Sequence, residues 1–134
     1  MFRRKAKDAI TLVAAGTEIV GDVSFSGELY VYGKVFGNVS ATDDAARLTI
    51  CGGGEIRGDV RVASVIVDGR VEGDIFAKTK VEIAARASLQ GNVYYKLIEM
   101  QLGARIEGQL VHTEELPTQD DTVRTLSGRK SGEK

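Results

Sequence analysis

Along most of this chain aliphatic and polar residues alternate, and a repeated signature sets the phase: Gly, then Asp, Asn or Gln, then an aliphatic residue. It occurs six times, at Gly21-Asp22-Val23, Gly37-Asn38-Val39, Gly58-Asp59-Val60, Gly73-Asp74-Ile75, Gly91-Asn92-Val93 and Gly108-Gln109-Leu110, with spacings of 16, 21, 15, 18 and 17 residues. Two residues before the glycine stand Ile19, Val35, Ile56, Val71, Leu89 and Ile106, and eight before it Val13, Leu29, Ile50, Val65, Ile83 and Met100. The residue three before is polar in every repeat: Glu18, Lys34, Glu55, Arg70, Ser88 and Arg105. Such alternation marks short, half-buried strands, because successive side chains of a strand point to opposite faces.

Several short strands within each period of 15 to 21 residues predict an all-β chain, a single parallel β-helix (solenoid) of six coils. Neighbouring rungs then lie ~4.8 Å apart, so like positions stack. Four before each signature glycine come only small residues or Thr (Thr17, Gly33, Gly54, Gly69, Ala87, Ala104), which reads as a corner where bulk would clash. The outward run Glu18, Lys34, Glu55, Arg70 alternates in sign, and cross-strand pairs of opposite charge are worth ~0.2 to 1 kcal/mol each. The Asp and Asn residues of the signature are expected to hydrogen-bond along the stack. Length variation is expected in the connector after each signature, the longest being residues 40–49 with adjacent Asp43 and Asp44. The alternation divides the chain into a basic N-terminal tail at 1–9, a β-helix at 10–112 and a C-terminal tail at 113–134. That last stretch is polar, holds Pro117, and is expected to be disordered.

Composition narrows the function classes. Apolar residues at 43% are enough for a core, and a formal charge of −1 gives no overall field that would recruit nucleic acid. The one cysteine, Cys51, rules out an internal disulfide framework and points to a reducing compartment, the cytoplasm. No apolar run is long enough for a spanning helix.

Six coils around EIVGDV, KVFGNV, EIRGDV, RVEGDI, SLQGNV and RIEGQL, with the opening MFRRKAK, resemble a bactofilin over residues 1–112. The resemblance implies a right-handed β-helix that polymerises without nucleotide or other cofactor into non-polar filaments. It implies a place on the inner face of the cytoplasmic membrane, and a scaffold rather than an enzyme. The partners it implies are further copies of the chain, an anionic membrane surface, and cell-wall synthesis or hydrolysis enzymes or polarity proteins. The tails contain little proline, a departure from the family's pattern.

Polymerisation also follows from solenoid physics, because uncapped end coils expose strand edges and a cross-section of core. The first coil offers Ile10, Leu12 and Val13 as the contact, and the last Leu97, Ile98, Met100, Leu102, Ile106 and Leu110. The competing expectation is a cap formed by Phe2 at one end or Leu116 at the other. The N-terminal tail sets Met1 and Phe2 beside Arg3, Arg4, Lys5 and Lys7, which suits anionic headgroups. Burying Phe is worth ~1.5 to 3 kcal/mol and each cation ~1 kcal/mol, so one tail is a marginal anchor that an array along a filament would make stable.

Other chemistry fits less well. A left-handed acyltransferase-like trimer would show a hexapeptide repeat and a positioned His, whereas His112 lies just past the last signature. CGGGEIRG lacks the Lys-Ser/Thr ending of a phosphate loop and reads as a bend. The Asp column has the wrong period for a calcium-binding β-roll, and Cys51 lacks partners for a metal, so no catalytic, cofactor or metal residue is assigned. Tyr30, Tyr32, Phe36, Phe76, Tyr94 and Tyr95 fall outside the inward columns read so far. They are expected to pack across coils or against connectors, or else to serve a monomeric adaptor.

Overall fold

A computed structural model describes residues 10–114 and contains strands, bends and turns but no helix among them. The first two coils comprise β1 (Ile10–Val13), β2 (Glu18–Val20), β3 (Val23–Ser24), β4 (Glu28–Val31), β5 (Lys34–Phe36) and β6 (Val39–Ser40). The middle two comprise β7 (Arg47–Ile50), β8 (Glu55–Arg57), β9 (Val60–Arg61), β10 (Ser64–Val67), β11 (Arg70–Glu72) and β12 (Ile75–Ala77). The last two comprise β13 (Lys80–Ile83), β14 (Ser88–Gln90), β15 (Val93–Tyr95), β16 (Ile98–Met100), β17 (Arg105–Glu107) and β18 (Leu110–His112). Every third strand joins the same sheet, giving three parallel six-stranded sheets that wrap one core: a parallel β-helix of six coils. The tails at 1–9 and 115–134 lie outside the described residues.

Alternation builds the interior as expected. Val35, Ile56, Val71 and Leu89 stack in one inward column and Val39, Val60, Ile75 and Val93 in another, all buried. One part of the register differs from the sequence alignment. Val13 lies level with Val31, Ile50, Val67, Ile83 and Met100, so Leu29 and Val65 belong to the neighbouring inward column with Leu48 and Val81. Between the first and second strands of a coil the corner holds four residues at 14–17, 51–54, 84–87 and 101–104, but two at 32–33 and 68–69. Length therefore varies there as well as in the connectors. A change of two residues leaves every side chain on its original face, which is why the hydrophobic pattern hides it.

Backbone contact fixes the spacing of the coils. At Gly37, Gly58, Gly73, Gly91 and Gly108 an added Cβ would overlap the carbonyl oxygen of the signature glycine one coil below. Beside this column the signature's polar residues form a ladder. The backbone N–H of Asn38 donates to Asp22 Oδ1 (2.9 Å), that of Asp59 to Asn38 Oδ1 (2.9 Å), that of Asp74 to Asp59 Oδ1 (3.1 Å) and that of Asn92 to Asp74 Oδ1 (2.9 Å). Gln109 donates last, to Asn92 Oδ1 at 3.1 Å. The bend at Gly52 and Gly53 is likewise as expected.

The charge column stacks in the predicted register, Glu18 on Lys34 on Glu55 on Arg70, but its ion pairs run elsewhere. Arg57 Nε meets Glu55 on its own strand (2.6 Å) and Glu72 one coil on (3.7 Å), and Arg70 Nε meets Glu72 (3.6 Å). Residues two apart on a strand share a face, and a long Arg side chain reaches its own-strand neighbour as readily as the next rung. Exposed pairs of this kind contribute about 0 to 1 kcal/mol, so they assist coil order without determining it. The aromatic residues mostly pack across coils. Phe76 stacks parallel on Tyr94 (4.8 Å), with the Arg61 guanidinium 4.0 Å from its ring centre, while Tyr95 turns toward the core.

Gly91→Ala is expected to destabilise the fold by about 3 kcal/mol or more, combining a clash with the strain of φ +144°. Gly53→Ala, strained at φ +88° but with nothing within 4 Å, should cost about 1 kcal/mol. Thermal or denaturant unfolding of the two variants checks the order.

Candidate functional site

A parallel solenoid covers each coil with the coils on either side, so its ends are the places where the repeat leaves work undone. In all three sheets one edge is a first-coil strand (β1, β2, β3) and the other a last-coil strand (β16, β17, β18), each pairing on one side only among the described residues. Inward side chains become exposed there. Met100 is 48% exposed against 1% for Ile83 beneath it, and Leu110 40% against 1% for Val93. Ile98, Ala104 and Ile106 complete the apolar face of the last coil and are half-buried. At the other end Ile19, Val23 and Phe25 are half-buried and Val13 is 4% exposed.

Of the nine residues expected at the polymer contact, Val13, Ile98, Met100, Ile106 and Leu110 point inward at an end. The other four do not. Ile10 lies level with Glu28 and Leu12 with Tyr30, both in outward columns, and Leu97 precedes inward Ile98 by one residue and so takes the outward phase. Leu102, 97% exposed, sits on the four-residue corner of the last coil. Apolar character alone does not separate these four from the inward five, because phase, not hydropathy, decides which side chains face the core.

The inward column four after each signature glycine was missed. It reads Phe25, Ala41, Val62, Ala77, Tyr95 and His112, and extending the alternation one step would have found it. His112 is therefore part of β18 rather than a residue beyond the last repeat. Its ring meets Tyr95 edge-on (5.7 Å), and its Nε2 lies 3.6 Å from Glu114.

The short corner at 68–69 is recessed between the longer corners of coils three and five, which leaves a groove lined by Tyr32, Cys51, Gly52, Arg70 and Arg86. Arg86 reaches across it to Asp68 (2.8 Å), a contact that holds the guanidinium above its ordinary pKa. Nearer the last coil, Lys80 lies 3.3 Å from both Glu99 and Glu82, which raise its pKa. Among the described residues no three His, Cys, Asp or Glu side chains are placed to hold a metal ion, and no helix is long and apolar enough to cross a membrane. The expected membrane residues Met1, Phe2, Arg3, Arg4, Lys5 and Lys7, and the alternative caps at Phe2 and Leu116, lie outside the described residues.

The sequence model of a polymer-forming cytoskeletal family, Bactofilin, matches residues 11–111. The chain belongs to the bactofilin family. Bactofilin BacO of Myxococcus xanthus (strain DK1622) is 29% identical over 108 residues, covering 81% of this chain and 83% of that protein. No solved structure matches the chain. The matched bactofilin region takes in all three strands of every coil, so the family's polymer-forming character maps onto the solenoid itself.

Unequal coverage of the coils predicts unequal stability. In dilute, unassembled protein the amides of β7 to β12 should be the last to exchange with solvent, and those of the first and last coils the first. Hydrogen exchange measured strand by strand checks this, and uniform protection along the solenoid would contradict it.

Proposed function

We propose that this bactofilin is a cytoskeletal scaffold that assembles without nucleotide, coil end on coil end, into filaments. On this reading it has no catalytic role. The filaments lie against the inner face of the cytoplasmic membrane, held by residues 1–7, and recruit cell-wall or polarity proteins. The observation that supports assembly most directly is the partly uncovered core at Met100 and Leu110, bordered by strands that pair on one side only among the described residues. A second copy stacked there would remove these apolar side chains from water and complete the strand pairing, gains that a monomer forgoes.

The side chains of the last coil favour a two-fold junction, as a non-polar filament requires. β17 reads Arg105-Ile106-Glu107. Antiparallel pairing centred on Ile106 sets Arg105 of one copy opposite Glu107 of the partner subunit, and the two-fold axis repeats the pair. A head-to-tail junction would instead continue the charge column and bring Arg105 level with the partner's Glu18.

The two arrangements respond differently to charge exchange. Arg105→Glu should weaken assembly in either case, because it faces one carboxylate with another. In a two-fold junction the double variant Arg105→Glu/Glu107→Arg restores complementary pairs and should return filaments to near wild-type abundance. In a head-to-tail filament the introduced carboxylate still meets Glu18 and assembly stays weak. Negative-stain electron microscopy of the nucleotide-free proteins gives the readout, and a wild type that remains monomeric while folded would overturn the scaffold reading.

A further inference from the structure

The first coil turns large aliphatic side chains toward solvent. Ile10, Leu12 and Val20 are 68, 56 and 83% exposed. The column that begins at Leu12 ends at Glu99, and the column that begins at Val20 ends at Glu107, so these two columns of the outer wall pass from apolar at the first coil to acidic at the last, whereas the column that begins at Ile10 ends level with Leu97. These side chains stand on the wall rather than on the inward face, so stacking another copy on the end covers them only in part: Tyr30, level with Leu12 and with a rung on each side, is still half-exposed.

Leu12 and Val20 flank the first corner, residues 14–17, whose Ala14, Ala15, Gly16 and Thr17 are all exposed and uncharged. Glu18 is the one ionisable residue from Leu12 to Val20. The chain enters this coil at Ile10 directly from the nine residues that carry Met1, Phe2, Arg3, Arg4, Lys5 and Lys7. Nine residues span at most about 30 Å even when extended, so a tail bound to a bilayer keeps the first coil within reach of it. An anionic surface that attracts those cations also disfavours the acidic last-coil end of both columns.

We infer that the outer wall of the first coil, from Leu12 across the corner to Val20, is a second membrane-contact surface, entered by the lipid of an anionic bilayer at the boundary between headgroups and acyl chains. This rests on the reading of residues 1–7 as an anchor. The basic tail supplies the attraction, and the wall adds apolar contact that orients the first coil toward the bilayer.

The test uses full-length protein and sedimentation with phosphatidylglycerol-containing vesicles. One variant carries Leu12→Gln and Val20→Gln, another carries Phe2→Ala, Arg3→Ser and Arg4→Ser, and all proteins are compared for melting temperature and filament formation. The wall variant should melt and polymerise like the wild type but bind vesicles about tenfold more weakly. Wild-type binding by the wall variant would overturn the inference, leaving the anchor reading intact if the tail variant is released. Wild-type binding by the tail variant would overturn the anchor reading instead. Loss of filaments by the wall variant with vesicle binding intact would assign this surface to contacts between copies, and the inference would again fall.

Discussion

The solenoid depends on backbone meeting backbone at the signature glycine. There the carbonyl of one coil occupies the place where a Cβ of the next would project, from Gly37 through Gly108. That approach fixes the separation of the coils, and the Asp and Asn side chains next in sequence come level with N–H donors one coil on. Column stacking inside the tube follows from the same spacing, with Val35, Ile56, Val71 and Leu89 each covering the next. Exposed ion pairs around Arg57 and Glu72 adjust the surface of an arrangement already determined beneath them.

A fold built this way has no internal reason to stop. Each coil makes the same kinds of contact as its predecessor, and the series ends where the repeat ends, at β18, leaving Met100 and Leu110 partly in water where Ile83 and Val93 are covered. Family membership and physical form are compatible: on the end-to-end junction proposed above, polymer formation would extend between molecules the contacts that already operate within one. The ladder of signature side chains ends in Gln109, one methylene longer than the Asp and Asn below it, so the last coil does not simply repeat the pattern for a further rung.

Much of this was legible in the residues because a strand's period of two is robust to the changes the chain contains. Corners that differ by two residues moved Leu29 and Val65 one place along the inward face without exposing either, so the alternation survived while the alignment slipped. The ends were harder to read. Ile10, Leu12, Leu97 and Leu102 are apolar, and only the register reveals that the first three point outward and that the fourth stands on a corner. His112 was set aside because it follows the last signature, although it occupies the same inward column as Tyr95. Ion-pair choice was not legible at all, since it depends on how long side chains lean once the rungs are in place.

The most direct measurement of the central claim is the direction and repeat of the rungs in the assembled polymer, obtained by fibre diffraction or cryo-electron microscopy of filaments grown without nucleotide. End-to-end stacking predicts a spacing of ~4.8 Å along the filament axis and a subunit rise near ~29 Å, the thickness of six coils. A ~4.8 Å spacing running across the filament, or a subunit rise unrelated to six rungs, would contradict it.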